Sequence, residues 1–91
     1  MPRIVKLDKA NDGKHKWIAT FDTGKRTAFG AEGYQDFTQH GDVKRKENYL
    51  KRHAKDLDTK DPTRAGYLSY YVLWNKPTIA ESVKDFNRRF G

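Results

Sequence analysis

The stretch from Ala65 to Phe90, AGYLSYYVLWNKPTIAESVKDFNRRF, constrains the fold most, because it concentrates the large apolar side chains of the chain. In its second half Thr78 is followed three residues later by Glu81, with Pro77 just outside, which is the pattern of a capping box. Ile79, Val83, Phe86 and Phe90 then recur at the spacing of one helical face. The first half, about Thr63 to Trp74, also reads as a helix. Asp61-Pro62 or Thr63 starts it, and Asn75-Lys76-Pro77 stops it, since a proline disfavours α backbone in the residue before it. Tyr67, Leu68, Tyr70, Tyr71, Val72, Leu73 and Trp74 cover most of its circumference, so it is expected to be the central helix of a helical hairpin.

Whether so little apolar sequence can hold a fold is the next question. With 91 residues the chain is expected to be one domain, burying only about two thirds of its unfolded surface. A mean hydropathy of −1.05 is low for a folded protein. Five Phe, five Tyr and two Trp offset that, because each ring buries roughly 150–250 Å². The absence of cysteine removes disulfides, thiol catalysis and thiolate metal sites. No apolar run approaches the roughly 20 residues needed to span a bilayer, and MPRIVKLDK lacks the apolar core of a signal peptide. A soluble, intracellular chain is therefore expected. Its net charge of +7 calls for an anionic partner: nucleic acid, an acidic protein surface or lipid headgroups.

The first third alternates as strands do. Arg3 to Asp8 places Val5 and Leu7 on one face, and His15 to Asp22 alternates Trp17, Ala19 and Phe21 with Lys16, Ile18 and Thr20. Asn11-Asp12-Gly13 and Asp22-Thr23-Gly24 are turns, and Lys25 to Phe29 is a short third strand. The face carrying Val5, Leu7, Trp17 and Phe21 is expected to lie on the helices. Gly30 to Gly33 is expected to break the sheet, with Tyr34 and Phe37 plugging a short loop. Asp42 caps a helix from about Val43 to Ala54, whose thin stripe of Val43, Tyr49, Leu50 and Ala54 places it outside; Asp56 to Asp61 is a polar connector. The expected architecture is α+β, a three-stranded antiparallel β-meander over 1–30 packed on about three C-terminal helices over 42–90.

Chemistry has one prominent candidate. Between Lys44 and Lys55, six basic side chains (Lys44, Arg45, Lys46, Lys51, Arg52 and Lys55) accompany a single Glu47. On a helix Lys44, Lys51 and Lys55 fall near one side and Arg45 and Arg52 near the next. Such a face can neutralise phosphates and release their counterions. It can equally be a solvated outer face whose stems cover the core. Arg88 and Arg89 add cations at a helix C-terminus, where the helix dipole alone favours them. Tyr67, Tyr70, Tyr71 and Trp74 could stack on bases, but at helical spacing they read as core. Among histidines only His40, with Asp42 and Asp36, sits near carboxylates, a remote candidate for a small hydrolase; a loop histidine bonded locally explains it as well. No ligand spacing for a metal and no phosphate-cradling glycine loop is present, so no cofactor or metal is expected.

Three blocks carry a resemblance: Phe29-Gly30-Ala31-Glu32-Gly33-Tyr34-Gln35-Asp36-Phe37-Thr38-Gln39-His40, Arg45 to His53 (RKENYLKRH), and Leu73-Trp74-Asn75-Lys76-Pro77-Thr78 with Ala65 to Ser69 before it. Together, over roughly Lys25 to Phe90, the chain resembles a family of small basic proteins encoded by nucleocytoplasmic large DNA viruses. The resemblance carries over no catalytic residue. It implies a non-enzymatic virion component, a minor capsid or cementing protein assembled in the host cytoplasm. Its partners would be other capsid proteins or acidic surfaces, in an oligomer or larger assembly. The alternative is a nucleic-acid-binding protein using Lys44 to Lys55. In both, Lys44, Arg45, Lys46, Lys51, Arg52, Lys55, Arg88 and Arg89 are the candidate contacts.

Overall fold

The computed structural model describes residues 2–91, an α+β arrangement of three strands followed by helices. Strands β1 (Ile4–Lys9), β2 (His15–Phe21) and β3 (Arg26–Ala31) form an antiparallel sheet in the order β1-β2-β3. The first hairpin closes as its residues dictate. Asp12 Oδ1 accepts from the backbone N–H groups of Lys14 and His15, both at 2.9 Å, while Gly13 supplies the positive φ. In β2 the expected alternation holds: Ala19 and Phe21 are buried and Trp17 packs on the core.

β1 departs from the expectation. Its pairing with β2 shifts between Ile4 and Lys6, so an irregularity turns Val5 outward, 58 % exposed, and buries Ile4 instead. A one-residue change of phase exchanges the two faces of a strand. β3 also runs further than expected. Gly30 does not end the sheet: with φ +81° it stays within β3, and a Cβ there would lie 2.8 Å from Leu73 Cδ1. Only glycine lets the strand pass so close to the helix behind it.

After the sheet come a single turn, α1 (Phe37–His40), and then α2 (Val43–His53). Asp36 and Gln39 make the reciprocal bonds of a capping box around α1. Phe37 is buried as a plug, but Tyr34 is 74 % exposed and plugs nothing. The expected polar connector is itself ordered as a 3-10 helix, Ala54–Thr59. The central helix starts later than expected. Asp61 Oδ1 accepts from Thr63 N–H at 3.0 Å and from its hydroxyl at 2.6 Å, which holds a turn, and α3 (Ala65–Leu68) begins only at Ala65. It continues as a π-helical segment, Ser69–Leu73, a local widening that often marks functional sites. Thr78 Oγ1 accepts from Glu81 N–H at 3.2 Å and caps α4 (Ile79–Phe90).

One core joins these parts. Ile4, Ala19, Phe21 and Phe29 from the sheet meet Leu68, Val72, Leu73 and Phe86 from the helices, with Ile79, Val83 and Phe90 packed beside them. Phe21 and Phe86 approach to 6.2 Å between ring centres, and Phe86 and Phe90 to 4.9 Å. Each buried ring of this kind contributes about 1.5–3 kcal/mol. No helix among the described residues is long and apolar enough to cross a membrane.

Candidate functional site

The helix α2 has no fully buried residue, so its attachment needs explaining. Asp42 caps it, Oδ1 accepting from the N–H groups of Lys44 at 3.0 Å and Arg45 at 3.3 Å. Two of its side chains, Tyr49 and Lys46, then fasten it to other elements. Tyr49 stacks on Trp74 at 4.2 Å with the rings 5° from parallel, and His53 stacks on the other face of Tyr49 at 4.1 Å. Burial pushes the Tyr49 phenol up to about 12, so this ring stays neutral. Lys46 reaches inward: its Nζ donates to Asn75 O at 2.6 Å and lies 4.9 Å from the centre of the Phe37 ring. Of the six basic candidates on α2 and its end, Lys46 thus works as an anchor.

The other five, Lys44, Arg45, Lys51, Arg52 and Lys55, are exposed. Among the described residues none of them lies within ion-pair distance of a carboxylate. Arg45, Lys51 and Arg52 line a groove of about 880 Å³, together with Tyr34 and Gln35 of the loop after β3 and, as its less exposed floor, Gly30, Leu73, Tyr49 and Trp74. Lys44, on α2, and Lys55, in the 3-10 helix that follows it, do not line the groove. Lys16 also lines the groove, but its ammonium is engaged, donating to Asp36 Oδ2 at 2.8 Å and Gln39 Oε1 at 2.6 Å.

Arg88 and Arg89 belong to a different constellation. Both donate to the carboxylate of Asp85, which is buried on α4 and also accepts from Asn75 Nδ2 at 2.7 Å. The Arg89 bond, at 2.7 Å, chiefly holds the Asp85 carboxyl well below the usual carboxylate range, against the opposing effect of burial. Arg89 also lies over Tyr71, 5.5 Å from its ring centre. Neither arginine lines the groove, so the eight candidate contacts do not form one surface.

The three residues weighed as a hydrolase are each occupied locally. The Asp36 carboxylate holds Lys16 and caps α1, and the Asp42 carboxylate caps α2. His40 Nδ1 accepts from Asp42 N–H at 2.9 Å, while its Nε2 is buried without a partner and its ring rests 5.3 Å from that of Trp74. Among the described residues no three His, Asp or Glu side chains converge as a metal site requires.

The groove itself was not anticipated from sequence. Its one available sign was Tyr49 and His53 four residues apart on α2, a spacing that puts the two rings over each other. The partner Trp74 comes from a distant segment that no local pattern links to them.

No curated protein and no solved structure matches the chain. One family does, over residues 5–53, which takes in the whole sheet but for Ile4, the Tyr34 loop and all of α2. Since that is more than half of its 91 residues, the chain belongs to this family, a family of unknown function (DUF5754).

Proposed function

We propose that the protein is a non-enzymatic nucleic-acid-binding module that grips phosphates with α2. The observation that carries this reading is the set of five exposed, unpaired cations, four on α2 and Lys55 just past its end, on a helix fastened by the Tyr49–Trp74 stack. A solvated face that served only solubility would gain from interspersed acids at the neighbouring helical positions, and Glu47 is the single one on α2. Phosphates bound by about four of these cations release their counterions, so log affinity falls against log salt with a slope of about −3 to −5. The test is titration of random duplex DNA at several salt concentrations. The joint substitution Lys44/Arg45/Lys51/Arg52→Ala is expected to abolish the slope and leave the far-UV circular dichroism unchanged, because none of these side chains packs in the core. Salt-independent binding, or binding indifferent to the substitutions, overturns the proposal.

A second reading, a minor capsid or cementing component of a large DNA virus particle, has its own support. β1 is an edge strand of the three-stranded sheet, and Val5 stands 58 % exposed on it, a surface suited to a protein neighbour. Recovery of the chain with the shell of purified particles after their DNA is removed supports this reading; loss with the DNA supports the first.

A further inference from the structure

The groove beside α2 has a feature that phosphate binding alone does not use. Tyr34, in its lining and 74 % exposed, is a large ring that stacks on no other ring among the described residues. The rings behind it are already occupied: Tyr49 has Trp74 on one face and His53 on the other. The groove therefore offers one exposed aromatic ring, an apolar floor and, in its lining, Arg45 and Arg52. Its volume of about 880 Å³ lies within the range, roughly 300–1,000 Å³, of sites that enclose organic ligands of nucleotide size. An acidic protein segment would use the cations but would leave the free ring and the apolar floor without a task.

Resting on the reading of α2 as a phosphate-binding helix, we propose that the groove selects single-stranded nucleic acid: an unpaired base stacks on Tyr34 and its flanking phosphates sit on Arg45 and Arg52. In a duplex the faces of the bases are covered by their neighbours, so an exposed ring can reach them only in an unpaired strand. Base-on-ring stacking is tolerant of sequence, since every base has such a face. Tyr34, in the groove's lining, follows Gly33, whose φ of +89° is a turn conformation that favours glycine.

The experiment is fluorescence anisotropy of the full chain with a labelled oligothymidylate of about 15 residues, the matching oligouridylate, and the oligothymidylate annealed to its complement. The expected result is tighter binding of the single strands than of the duplex. Tyr34→Ala is expected to weaken single-strand binding roughly 5- to 100-fold while leaving duplex binding in place, and Tyr34→Phe to retain it. Similar affinity for both strand forms, or single-strand binding that ignores Tyr34→Ala, overturns the groove proposal and leaves phosphate binding by α2 standing. Failure of every probe to bind at low salt overturns both. The two single-strand probes separate DNA from RNA as the preferred source of the unpaired base.

Discussion

Two residues carry more of the fold than their size suggests. Asp85 is a buried carboxylate held by Arg89, Arg88 and Asn75. Folding lowers its pKa, so its stabilisation is present above the unfolded value of about 4 and is lost as pH falls below that. Asp85→Asn is expected to lower stability at neutral pH by about 1–3 kcal/mol and to flatten the acid limb of a stability–pH curve from urea melts. Asp12 and Asp61, also held below the usual carboxylate range by hydrogen bonds from His15 and Thr63, remain in the variant, so the difference between the curves isolates Asp85. Equal acid slopes in the two proteins would remove Asp85 from the account. Gly30 is the second. Gly30→Ala places a methyl group 2.8 Å from Leu73 Cδ1 on backbone that side chains rarely adopt, and about 1–3 kcal/mol of lost stability is expected in thermal melts. The Gly30–Leu73 approach and the bond from Asn75 to Asp85 escaped the pattern of the sequence because both are tertiary, whereas Arg88 and Arg89 stand only three and four residues beyond Asp85 on α4.

Among the elements, those governed by local chemistry were legible and those governed by packing were not. The three strands, the Asp42 cap, the Thr78 cap and the apolar face of α4 follow from turn residues, capping side chains and helical spacing, and all are present. The Asp36–Gln39 capping box was equally local and could have been read from an acid followed three residues later by an amide. The irregularity that exchanges Val5 for Ile4, and the π-helical turn after Leu68, answer to neighbours across the core, which periodicity does not encode. The basic helix was visible as charge, but its groove needed Trp74, from another element, to appear. That dependence is testable. With no fully buried residue, α2 relies on the Tyr49 stack, so Tyr49→Ala is expected to cost about 1–3 kcal/mol. Amide exchange should quicken along Val43–His53 and change little in α4 at conditions that keep the rest folded. Uniform loss of protection across the molecule would show that α2 is not separately anchored.

For the molecule as a whole, the family match and the core do not coincide. The matched residues, 5–53, contain Ala19, Phe21 and Phe29, yet Leu68, Val72, Leu73 and Phe86, which cover those rings, lie beyond them. The two ends of the described chain are also joined: Ile4 N–H donates to Asn87 Oδ1 at 2.8 Å, and Asn87 Nδ2 donates to Ile4 O at 3.1 Å. A sheet of three strands cut away from α3 and α4 would present Phe21 and Phe29 to water with nothing to bury them, and a small sheet needs such cover to persist. A fragment ending at Lys60 is therefore expected to give a collapsed, poorly dispersed proton NMR spectrum. The full chain is expected to unfold in one step, with tryptophan fluorescence from Trp17 and Trp74 and far-UV circular dichroism tracing the same transition. A folded fragment would mean that the matched region is self-sufficient and the C-terminal helices an appendage. The groove would then have to be explained without its floor, because Leu73 and Trp74 would be dispensable to the unit that carries α2.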